Sequence, residues 1–104
     1  MSTSDRYRQL ADDLRIYLKK LEAERGEVKE AVMVGKAYQG LAELQEQVGD
    51  IPRIRLEAEL TPVLLRAHSN LDRARVLFEE AGAEDRAAEA WELEQKIYRL
   101  LNDL

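Results

Sequence analysis

The sequence predicts an all-α fold in a single domain, residues 1–104. Apolar side chains recur at spacings of three and four over the first forty positions, which is the period of one helix face. Leu, Ala, Glu, Arg and Gln dominate the composition, while glycines number five and prolines two. No stretch of alternating β-branched residues predicts a strand. Hydrophobic residues make up 45% of the chain, enough to form one core.

The first helix carries the longest apolar stripe in the chain. Ser2 and Asp5 have the spacing of a capping box, so we expect the helix to begin there. The stripe is broken only at Glu24. A stripe with this period requires a second helix to cover it. We take nine of its members as the candidate interface: Tyr7, Leu10, Leu14, Tyr17, Leu21, Val28, Ala31, Gly35 and Tyr38.

Gly26 leaves two arrangements open for the first half of the chain. The stripe keeps its register across the glycine, and no Asn, Pro or Ser accompanies it. This favours a single helix from about Ser4 to Val48, on the order of 67 Å long at 1.5 Å per residue. A break at Gly26 would instead fold the segment into a helical hairpin.

Two further helices follow the clearest break in the chain, Gly49–Pro52. The middle helix should run to about Ala81, with Pro62 kinking or restarting it. Gly82 ends that helix, and a C-terminal helix follows. Its apolar side comprises Ala87, Ala90, Trp91, Ile97, Tyr98, Leu101 and Leu104.

Composition excludes several classes of function. The chain has no cysteine, so disulfides and thiolate chemistry are absent. Its net charge of −5 comes from interleaved acids and bases, which disfavours nucleic acid as a partner. No apolar run reaches the length of a membrane span, and the first residues lack a basic-then-apolar signal pattern. We therefore expect a cytoplasmic protein that does not enter membranes.

We expect no catalytic residue, metal site or cofactor. His68 is the only histidine, and one histidine without cysteines leaves too few ligands for zinc. Glu24 and Glu94 each interrupt an apolar stripe. A buried carboxylate at such a position can fix helix register, but the favoured interpretation is that both face solvent. His68 and Glu94 would be the only candidates for an acid/base pair.

These features predict a non-catalytic protein–protein interaction module that acts as an adaptor, small chaperone or assembly factor. A long N-terminal helix would leave apolar surface uncovered, and two-fold self-association is the commonest way to cover such surface. The expected partner is therefore a protein, with a homodimer favoured. The main alternative is a compact monomeric four-helix bundle that binds a small apolar ligand in its core. A nucleic-acid-associated factor and an enzyme rank lower.

Overall fold

A computed structural model describes residues 2–26 and 28–104. It contains four α-helices and one short 3-10 turn at Val48–Asp50. We number the helices in chain order: α1 Thr3–Arg25, α2 Lys29–Gln45, α3 Arg53–Glu80 and α4 Glu84–Asn102. The described residues contain no strand, so the prediction of an all-α fold is confirmed. No helix in these two ranges is both long enough and apolar enough to span a bilayer.

The favoured single helix from Ser4 to Val48 is wrong, and the hairpin is the arrangement present. Helix α1 ends at Arg25, and Gly26 adopts φ 72° and ψ −151°, a conformation that only glycine adopts readily. The Gly26 N–H donates to the Glu22 carbonyl at 2.9 Å, which closes the last turn of α1. Val28 is extended and its carbonyl accepts from the Val32 N–H, which starts the next helix.

The helices form an antiparallel bundle in which α1 contacts α2 and α4. Ser4 at the start of α1 donates to the Val48 carbonyl beyond α2, so these two helices run in opposite directions. On the other side, Lys20 pairs with Glu89 and Arg6 pairs with Asp103, which makes α1 and α4 antiparallel as well. The bundle measures 43 × 22 × 21 Å. This is the compact four-helix shape expected if the chain reverses at Gly26.

The core is built mainly from leucine and alanine, with two tyrosines from α1 inside it. The Tyr7 hydroxyl donates to the Leu41 carbonyl at 2.7 Å, and the Tyr17 hydroxyl donates to the Arg86 carbonyl at 2.6 Å. Burial raises the pKa of both tyrosines well above its ordinary value. These bonds satisfy the two buried tyrosine hydroxyls.

The predicted boundaries of the later helices hold. The chain breaks between α2 and α3 around Gly49–Pro52, and Gly82 has φ 75° between α3 and α4. Pro62 lies inside α3, which continues through it as one helix. The predicted restart at Pro62 therefore does not occur, while a kink there stays a prediction.

Glycine substitutions test the turn at Gly26. Gly26→Ala should lower the free energy of unfolding by about 1–3 kcal/mol, because an alanine Cβ is strained at positive φ although the surrounding space is open. Gly40→Ala is the matched control. Gly40 lies inside α2 with nothing within 4 Å of the added Cβ, so alanine should stabilise the protein by about 0.5–1 kcal/mol. Urea unfolding measures both, and stabilisation by Gly26→Ala would contradict the turn.

Candidate functional site

The nine predicted interface residues lie mostly inside the bundle. Tyr7, Leu10, Leu14, Tyr17, Leu21 and Ala31 are buried in the core. Val28 and Tyr38 are half-buried and pack against the core. At Gly35, an added Cβ would lie 3.8 Å from a Leu18 methyl, so this glycine marks a helix contact within the chain. A single folded copy thus covers this stripe with its own helices, and contact of a partner with these residues stays a prediction.

The exposed apolar side chains of the described residues lie elsewhere. The large ones are Ile16, Val32, Ile54, Leu65, Val76, Trp91 and Tyr98. At 3.6 residues per turn, Leu65 and Val76 lie on the side of α3 that adjoins α4. Trp91 and Tyr98 lie on the side of α4 that adjoins α3, and they are 52% and 45% exposed.

We call this surface the α3/α4 face. It is made up of Leu65, His68, Asp72, Arg75, Val76, Glu79, Trp91, Glu94 and Tyr98. The sequence placed Trp91 and Tyr98 on the apolar side of α4. The apolar side of α4 is wider than the part of α4 that packs against α3. Both aromatic rings therefore remain exposed.

A buried carboxyl lies at the centre of the α3/α4 face. Glu94 is only 3% exposed, so the interpretation that it faces solvent is wrong. Its Oε1 lies 3.3 Å from His68 Nε2, and its Oε2 lies 3.5 Å from Arg75 Nε. Oε2 accepts no hydrogen bond from the described residues, but the protonated carboxyl can donate one to Asp72. Glu24, the other acid that interrupts a stripe, is exposed as expected and lies near Arg86.

The guanidinium of Arg75 contacts three carboxyl groups in this cluster. Arg75 Nη2 and Nε donate to Asp72 Oδ1 at 2.8 and 3.0 Å, and Arg75 Nη1 donates to Glu79 Oε1 at 2.7 Å. These contacts leave Arg75 with only a longer approach to Glu94. The hydrogen bonds from Arg75 lower the pKa of Asp72, so that carboxyl is the ionised member of the pair it forms with Glu94.

The protonation of Glu94 follows from its surroundings. Burial raises the pKa of Glu94 to about 8, and the neighbouring Asp72 carboxyl adds to this effect. Burial also lowers the pKa of His68, whose ring lies 4.4 Å from the Tyr98 ring between centroids. Near neutral pH, Glu94 therefore retains its proton and His68 is uncharged.

His68 and Glu94, the only acid/base candidates of the sequence analysis, contact each other in this cluster. An open cavity of about 590 Å³ adjoins it, lined by Arg75, Glu79, Glu84, Ala87, Ala88 and Trp91. Neither His68 nor Glu94 lines that cavity. Among the residues described, no group of three His, Asp or Glu side chains has the geometry of a metal site. What the arrangement offers is a carboxyl that can hold a proton or pair with a cation.

Comparison with known proteins gives no assignment, because no family model, no curated protein and no solved structure matches the chain.

Replacing Glu94 should remove a pH dependence of stability. The pKa of Glu94 rises from 4.5 to about 8 on folding, so the folded protein holds a proton that the unfolded chain releases. The free energy of unfolding of the wild type should therefore fall as pH rises from 6.5 to 8.5, and Glu94→Gln should show little change. Urea unfolding at several pH values across this window measures the effect.

The window begins at pH 6.5 because the lowered pKa of His68 has the opposite effect below that value. Glu24→Gln is the control, since it makes the same substitution at an exposed position. If the free energy of unfolding changed equally with pH in the wild type and in Glu94→Gln, Glu94 would not hold a proton in the folded protein.

Proposed function

We propose that the chain is a non-catalytic helical protein–protein interaction module, and that the α3/α4 face contacts its partner protein. The observation that carries this proposal is the exposure of Trp91 beside Tyr98 on one side of the bundle. The few residues that dominate the binding energy of protein interfaces are enriched in Trp, Tyr and Arg. All three types occur on the α3/α4 face, with Arg75 between the rows of apolar residues.

The dimensions of the face fit a partner helix. A long side of the bundle measures 43 by 22 Å, which can supply the roughly 800 Å² that each partner buries in a standard interface. Leu65 and Val76 add apolar contact on the α3 side of the face. A helix laid along the junction of α3 and α4 would cover these side chains and both exposed aromatic rings, as amphipathic helices do in grooves. This mode of binding suits an adaptor or an assembly factor.

The charge of the face favours protein over nucleic acid. Asp72 and Glu79 outnumber Arg75, and both His68 and Glu94 are uncharged near neutral pH. An acidic surface repels a phosphate backbone. The acids also interrupt the apolar area, so a partner must bring polar groups as well as apolar ones.

Self-association is a second candidate, favoured by the register of the apolar stripe. The seven-residue spacing of Leu21, Val28 and Gly35 continues across Gly26. If α1 and α2 joined into one helix, two chains could exchange helices and bury the same stripe residues in a homodimer. Such an exchange would separate Ser4 from the Val48 of its own chain, which it contacts in the single copy.

Photocrosslinking tests the proposed contact surface. A benzoylphenylalanine at position 91 should yield one defined conjugate with a partner protein in the native cell, because the Trp91 side chain lies in the interface. The matched control is the same probe at Val32, which is 46% exposed on α2 and lies outside the α3/α4 face.

Competition by unlabelled protein tests whether the conjugate forms at the α3/α4 face. Excess wild-type protein should suppress the conjugate, whereas a Trp91→Ala/Tyr98→Ala variant should not. Identical products from positions 91 and 32, or equal competition by the double variant, would contradict the proposal.

A further inference from the structure

An open cavity of about 240 Å³ lies at the junction of α1 and α4, and it shares no lining residue with the α3/α4 face. We call it the α1/α4 cavity. Leu10 of α1 and Leu100 of α4 line it, and they are only 4% and 2% exposed, so the base of the cavity is apolar core. At about 30 Å³ per water molecule, this volume corresponds to roughly eight waters or to a ligand of about ten non-hydrogen atoms.

The charged part of the lining is basic, although the chain as a whole is acidic. Arg6, Lys96 and Arg99 line the cavity together with one acid, Asp13, so three positive charges and one negative charge give a net +2. The net charge of the chain is −5. Four further cavities are each lined by one more acid than base. The α1/α4 cavity is therefore complementary to an anion in a protein whose net charge repels anions.

Arg99 is the cation of this lining that is available to a ligand. Lys96 Nζ donates to Asp13 Oδ2 at 3.0 Å, and Arg6 Nη1 donates to Asp103 Oδ2 at 2.7 Å. Among residues 2–26 and 28–104, Arg99 forms no ion pair with a carboxylate. Its guanidinium has five N–H donors in a planar arrangement that matches a carboxylate.

The cations lie at the mouth of the cavity, where a ligand can reach them. Arg99 is exposed, and the side chains of Arg6 and Lys96 are 32% and 48% exposed. A ligand can therefore enter with its apolar end first and leave its charged end at the mouth. The charged end stays partly hydrated there, so binding avoids the cost of burying an isolated charge.

We propose that the α1/α4 cavity binds a small organic monocarboxylate, whose apolar body lies on Leu10 and Leu100 and whose carboxylate pairs with Arg99. This site goes beyond the proposed function and does not depend on it. A guanidinium binds a carboxylate through two parallel N–H···O bonds, which fix the orientation of the ligand. A bare inorganic anion would leave the apolar base uncovered, and a drug-sized ligand needs roughly 300 Å³ or more.

The probe is octanoate, which has the size that the cavity accepts. NMR titration should give saturable shifts of the Arg99 Nε–H signal and of the Leu10 and Leu100 methyl signals, with a dissociation constant on the order of 1 mM. The indole N–H of Trp91, on the α3/α4 face, should not shift. Saturable shifts confined to Trp91 would overturn the proposal.

Two analogues separate the contributions of charge and apolar body. Octanamide has the same shape without the charge and should bind about fivefold more weakly or worse, because it loses the charged pair with Arg99. Acetate keeps the charge without the body and should bind about tenfold more weakly or worse, because buried methylenes contribute about two- to fourfold each. Binding of either analogue as tight as that of octanoate would overturn the proposal.

Variants at two exposed arginines locate the site. Arg99→Gln should weaken octanoate binding about fivefold or more, while Arg99→Lys should retain part of the affinity because it keeps the charge. Arg66→Gln is the matched control, since it removes the same charge at an exposed position of α3 outside the cavity lining. Equal loss of affinity in Arg99→Gln and Arg66→Gln, or wild-type affinity in Arg99→Gln, would overturn the proposal.

Discussion

The reversal of the chain at Gly26 is the constraint on which the rest of the structure depends. Because α1 ends there, α2 returns along it and the Leu41 carbonyl comes within reach of the Tyr7 hydroxyl. Helices α3 and α4 then complete the bundle and cover the remaining side of the α1 stripe, where Tyr17 reaches the Arg86 carbonyl. The apolar surface that would have joined two long helices becomes the core of one chain, and four of the seven large exposed apolar side chains of the described residues lie on the α3/α4 face.

The junction of α3 and α4 differs from the rest of the core because it contains a carboxyl. Glu94 lies between Leu93 and Ile97 in the buried side of α4, where a leucine would pack without the cost of removing a carboxyl from water. Neither His68 nor Arg75 pairs with it completely. Glu94 therefore makes the junction of α3 and α4 less stable than an apolar residue of similar size would.

Helical periodicity accounts for what the sequence predicted well, namely the all-α class, the break around Gly49–Pro52 and the end of α3 near Gly82. It could not decide the conformation of Gly26, because the stripe keeps the same register in one long helix and in a hairpin. Glu94 was misplaced for a related reason. Its partners His68, Asp72 and Arg75 lie on the preceding helix, and the rotation of that helix against α4 depends on packing that no local pattern records.

A distance measurement tests the reversal at Gly26 most directly. Since the chain has no cysteine, Asp5→Cys and Glu46→Cys introduce the only attachment sites for spin labels, both at exposed positions. Pulsed electron paramagnetic resonance on doubly labelled protein, diluted with unlabelled protein, reports the separation within one chain. With the helices packed about 10 Å apart, the label-to-label distance should be below about 25 Å. A distance of roughly 60 Å, as in one continuous helix or an exchanged dimer, would contradict the fold and the surface that follows from it.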